Sequence, residues 1–173
     1  MNLTDTDAQV LSGIRNACLE LGLDIIDERP SNNFHVFSLR FSDISGLRHV
    51  LRISYHAKHE VIGFYCWLTE PVPKDKEPAL LEVLNYINHR LVPARITLEP
   101  DHHVAELRGE MNLFGAPLPK HFRRVLFTFL VIARDFLPMV SGFLSGRIRK
   151  EDIKNEIDSP ESPEYVVLAR EVQ

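Results

Sequence analysis

The sequence predicts an α+β domain in which an antiparallel sheet of five or six strands packs against three helices, in the order α-β-β-β-(β)-α-β-β-α. Three observations predict it. Apolar residues recur at helical spacing in three separate stretches, and between them they alternate with a period of two. The alternating runs are joined by connections too short for the crossovers that parallel strands require. A length of 173 residues is enough for one core, and a composition 45% hydrophobic and 25% charged excludes wholesale disorder and fibrous repeats.

Val10, Leu11, Ile14, Ala17, Cys18 and Leu21 line one face of an N-terminal helix. Thr6 and Gln9 fit a capping box at its start, and Gly22 suits a left-handed cap at its end. Four strand-like runs follow: LDIIDE, FHVFSLRF, HVLRISYH and VIGFYCWL. Turn chemistry separates them at Pro30 to Asn33, Ser42 to Gly46 and His56 to Glu60. In the third run Leu51, Ile53 and Tyr55 oppose Arg52, Ser54 and His56, which gives one dry and one wet face. The fourth is apolar on both faces and is therefore placed centrally, or beneath an element that covers its second side, with Tyr65 and Trp67 read as covered core in preference to an exposed recognition face.

After the polar loop PVPKDKEP, Pro78 opens a second helix with the stripe Leu80, Val83, Leu84, Ile87 and Leu91, stopped by Pro93. ARITLE and HVAELRGEM form a second hairpin hinged at Pro100-Asp101, with Glu106, Arg108 and Glu110 on its wet face. A third helix begins after Pro117-Leu118-Pro119 and runs to about Leu137, where Pro138 kinks or ends it. Its core stripe is Phe122, Leu126, Phe129, Ala133 and Phe136, with Val125, Ile132 and Leu137 at its margins. Phe127 and Val131 fall on the opposite side, among Arg123, Arg124, Thr128, Arg134 and Asp135. Residues 1–146 thus make one domain, and 147–173 read as a charged C-terminal tail, flexible at least around Ser159 to Pro163.

Chemistry is sparse. His56-x-x-His59-Glu60 lies at a strand end rather than on one helical face, so it reads as solvated turn histidines, and no metal or cofactor is expected. There is no GxSxG, GxGxxG or Walker loop. Cys18 and Cys66, the two cysteines, sit among apolar residues as buried free thiols. A net charge of -4 with scattered Lys and Arg argues against nucleic acid. The apolar run Val125 to Ala133 is broken by Arg134-Asp135, short of a membrane span, and the N-terminus has no signal-peptide pattern. A cytoplasmic, non-enzymatic protein is the expectation.

LLEVLNYINHRL, with Asn85 and Asn88 three apart, then ARITLEPDHHVAELRGEMNL and the leucine-proline entry into a long apolar helix resemble the YbjN-like family. The resemblance spans Thr6 to Leu144. Its members are described as bacterial sensory-transduction regulators, with a fold like that of type III secretion chaperones. The resemblance implies a binding module, chaperone-like or regulatory, that holds a protein partner or client and can dimerise. Phe127 and Val131, with Arg123 and Arg134, are the expected contact residues, since exposed apolar groups mark interfaces. The alternatives are a small-ligand receptor or enzyme with a pocket built from distant residues, and a structural subunit of a larger assembly.

Overall fold

The computed structural model describes residues 4–31, 34–43, 46–91, 94–114 and 118–159. Thr4, not Thr6, caps helix α1 (Asp5–Glu20): its hydroxyl accepts from the Asp7 N–H at 3.1 Å while Asp7 accepts from the Thr4 N–H at 2.8 Å. Aspartate at the third helical position does the work expected of Gln9, and it also suits the positive end of the helix dipole. Asp7 is itself buried and accepts a 2.6 Å hydrogen bond from the Tyr55 hydroxyl, which ties the start of α1 to the sheet. Gly22, at φ +66°, ends the helix in the left-handed conformation that glycine tolerates best.

The strands are β1 (Asp24–Ser31), β2 (Phe34–Ser42), β3 (Arg48–His56), β4 (Val61–Pro71), β5 (Ala94–Glu99) and β6 (Val104–Asn112). They form one antiparallel sheet in the order β1-β2-β3-β4-β6-β5, so the meander and the second hairpin join along β4·β6 and β4 is interior, as its two apolar faces predicted. The register aligns Leu39, Leu51 and Cys66 across β2, β3 and β4, and Ile53, Phe64 and Gly109 across β3, β4 and β6. These are the helix-side positions, and together with α1, α2 (Glu77–Asn88) and α3 (Phe122–Leu144) they build a single core. Phe64 packs against Phe122 and Phe129, with ring centroids 5.9 and 5.5 Å apart.

Three expectations change. Helix α3 continues through Pro138 to Leu144. A proline removes one helical N–H and crowds the carbonyl four residues back, but Val140, Gly142 and Leu144 beyond it are buried, and that packing holds the last turns in place. At 23 residues α3 is long and apolar enough to cross a membrane by length and composition, yet 50% of that stretch is buried inside the fold, as in a core helix. Part of the expected tail is a fourth helix, α4 (Lys150–Asp158), which buries Ile153 and Ile157 and pairs Lys150 with Glu82, and Asp158 with Tyr86 and Arg90. The segment expected to be flexible after Ser159 lies outside the described residues.

Both sheet edges are guarded. On β1 the pairing shifts between Ile25 and Asp27, and Pro30 and several charges further deter strand addition. On β5, the Asn88 side chain donates to the Ile96 carbonyl at 2.7 Å and accepts from its N–H at 2.7 Å, standing in for a missing neighbour strand. That assigns the second asparagine of the pair a structural task. Asn85 is exposed.

Candidate functional site

Every helix packs on one side of the sheet, so among the described residues no helix covers the other side. Side chains alternate along a strand, and those facing away from the core are Arg52 and Ser54 on β3, Gly63, Tyr65 and Trp67 on β4, Glu106, Arg108 and Glu110 on β6, and Arg95 and Thr97 on β5. Tyr65 and Trp67, for which the sequence favours covered core over an exposed recognition face, are half-buried on this open face. The run was apolar on both faces because one face meets the core and the other carries aromatic rings.

The rings are held in place by neighbours on three strands. Tyr65 and Trp67 stack nearly parallel, with centroids 5.9 Å apart and 10° between planes. The tyrosine lies along its own strand over Gly63, where a Cβ would come within 2.5 Å of the hydroxyl oxygen. Glycine is thus the residue that leaves room for the ring. The Arg52 guanidinium stands 5.1 Å from the Trp67 ring, a cation-π contact, and Arg108 pairs across from Tyr65. Glu106, expected to be solvated, is only 7% exposed; burial pushes its carboxyl above the usual range, partly opposed by the charge of Arg108 and a hydrogen bond from Trp67. Glu110 accepts from Arg108 at 3.0 Å. The acids of this face are therefore engaged, whereas neither Arg52 nor Arg95 forms an ion pair among the described residues.

The four residues singled out on α3 are only partly a surface. Phe127 is 54% exposed, but Val131 is half-buried against the core, and Thr128 is buried with its hydroxyl donating to the Arg124 carbonyl at 2.9 Å. Helix α3 contacts α1 and α2 as well as β4 and β6, so its buried arc reaches beyond the stripe and margins that periodicity marks and takes in Thr128. Arg123 reaches Glu20 on α1 at 2.8 Å and Arg134 its neighbour Asp135 at 3.0 Å. His56 precedes and His59 ends the 3-10 turn Ala57–His59, and no group of three or more metal-ligating side chains gathers among the described residues. Cys18 and Cys66 are free and buried, with burial pushing their thiols up to about 11 and about 12.

Residues 42–141 match the YbjN family, described as "Putative bacterial sensory transduction regulator". The chain belongs to the YbjN family. The YbjN match runs from the end of β2 into α3 and so includes the β3, β4, β5 and β6 residues of the open face. A solved structure titled "Crystal structure of YbjN, a putative transcription regulator from E. coli" is similar at 13% identity and a TM-score of 0.48, covering 79% of this chain and 92% of that one. Among curated proteins, none matches the sequence.

Sequence reasoning missed the open face as a unit. Its signal was present in Gly63-x-Tyr65-x-Trp67, three alternate positions of one strand, but joining it to Arg52, Glu106 and Arg108 requires the register between strands.

Proposed function

We propose that this protein is a non-enzymatic binding module of the regulatory kind its family description names, and that it docks an acidic segment of a protein partner across β3, β4 and β6. The observation that carries this is the Tyr65–Trp67 stack, half-exposed on a helix-free face with Arg52 beside it. Tyrosine, tryptophan and arginine are the residues that dominate binding energy at interfaces, because each combines a large rigid apolar body with a polar tip. The acids of the face are engaged and the charges left over are guanidiniums, so the complementary segment is acidic and brings an apolar group to the rings. Docking on the face is favoured over strand addition because a bulge blunts one edge and Asn88 caps the other.

Phe127 supports a second contact. With 54% of its surface exposed on α3, it can serve a homodimer or client on the helix side.

A photo-crosslinking amino acid at Ser54 or Thr97, compared with one at Leu81 on α2, distinguishes the two sides. A protein captured from the sheet-side positions, whose purified form binds the wild type about tenfold more tightly than Trp67→Ala, supports the proposal. Capture confined to Leu81, or equal affinity for Trp67→Ala, refutes it. Gly63→Ala sharpens the test, since the added methyl first meets the far end of the movable Tyr65 ring and so disturbs the platform.

A further inference from the structure

A second feature stands apart from the open face. A cavity of about 310 Å³ opens at the end of the helix side of the sheet, where β3 and β4 run beside the last turns of α3. Close-packed interiors leave few voids larger than a water, and about 300 Å³ is where small-molecule sites begin. Its apolar walls are Leu47, Leu68, Leu137, Pro138 and Ile148. Gly142 shapes one side: a Cβ there would come within 2.4 Å of Ile148 Cδ1, so the glycine lets the segment after α3 fold closely back.

Polar groups are distributed unequally over this wall. His49 lines the cavity with its side chain 7% exposed, and its Nε2 lies 2.8 Å from Oδ2 of the fully buried Asp43, whose Oδ1 accepts from the Leu47 N–H at 3.0 Å. The carboxylate fixes the imidazole at one nitrogen and is itself fully occupied in doing so. Arg48 and Arg147 also line the cavity; Arg147 Nε donates to the Ser145 hydroxyl at 3.0 Å, and neither guanidinium forms an ion pair among the described residues. Glu70 is the other acid in the lining, so two arginines and one glutamate stand at this end of the cavity beside its apolar wall.

We infer that this cavity is a binding site for a small amphipathic carboxylate, with the acid group held by Arg48 and Arg147 and the apolar body against Leu68, Leu137 and Ile148. Guanidiniums match carboxylates by paired hydrogen bonds, and the hydrocarbon replaces water along the apolar wall. The inference is independent of the open-face proposal, because no residue is shared and its test requires no protein partner.

Octanoate is the probe, titrated into the full chain labelled with nitrogen-15 and followed through the His49 ring and the Leu68 and Ser141 amides. Octanol and octylammonium provide the same chain without the charge and with the opposite one. The expected result is saturable shifts at all three residues with octanoate and affinity weaker by about tenfold or more for octanol, octylammonium and the Arg48→Glu/Arg147→Glu double variant. Ser141→Trp should fill the chamber and abolish the shifts; the double variant changes exposed side chains and keeps the test decisive if that one misfolds. Octanoate leaving His49 unmoved, octylammonium binding as tightly, or undiminished affinity in the double variant overturns the inference.

Discussion

Asn88→Ala should be costly for a side chain at the end of a helix. Its two 2.7 Å hydrogen bonds to Ile96 satisfy an N–H and a carbonyl on a strand whose other side is already paired to β6, and Ile96 is buried. Each bond contributes about 1 kcal/mol net, and a buried polar group left without a partner costs about 1–3 kcal/mol. Alanine returns about 0.5 kcal/mol through its better helix propensity. The sum is a loss of roughly 2–4 kcal/mol, since water reaching the opened edge replaces part of what is removed. Urea titration followed by fluorescence of Trp67, the single tryptophan, reads it directly. Asn85→Ala is the control: on an exposed position it should change stability by less than about 0.5 kcal/mol. Asn88→Asp keeps an acceptor for the Ile96 N–H but sets a carboxylate against the Ile96 carbonyl, so it too should destabilise. A loss for Asn88→Ala no larger than that for Asn85→Ala would show that the capped edge is not held as described.

Three further outcomes follow from buried groups and from α3. Burial alone would raise the Asp7 carboxyl, but hydrogen bonds from Tyr55 and Thr4 outweigh it and hold the group below its ordinary value of 3.8. A depressed carboxyl contributes stability that is complete above that ordinary value and is lost as pH falls through the folded one. Tyr55→Phe removes one donor, so acid unfolding, followed by circular dichroism, should begin at higher pH than in the wild type; an unchanged acid transition in a variant equally stable at neutral pH contradicts this. Cys18 and Cys66, raised to about 11 and about 12 by burial, should be silent to a thiol reagent at mildly alkaline pH in the folded chain and react only in denaturant. Phe127→Asp should lower any oligomeric mass seen by light scattering while leaving the fold intact, whereas a charge at half-buried Val131 should also cost stability in a urea titration.

Periodicity made the strands and the interior place of β4 legible, because each depends on neighbours in sequence; the turns expected at Asn32-Asn33 and Ile44-Ser45 lie outside the described residues. The failures have a common cause in tertiary contact. Pro138 marks a helix end by local rules, yet packing beyond it carries α3 on to Leu144. Ile153 and Ile157 were submerged in a charged stretch, and only α2 alongside reveals α4 as a packed helix. Glu106 occupies a wet alternate position, and its burial comes from Trp67 and the neighbouring strands rather than from the core. The cavity is still less visible, since it joins Asp43 and His49 to Ser141 and Arg147, about a hundred residues further along the sequence.

A partner that covers the open face also covers Trp67, and this residue reports on its own environment. Acrylamide quenching of Trp67 should be measured with and without a purified partner that lacks tryptophan. Binding that shields Trp67 from the quencher, with the shielding lost in Gly63→Ala as affinity falls, is the predicted result. A partner that binds with full affinity while Trp67 is quenched as in the free protein would show that it docks elsewhere.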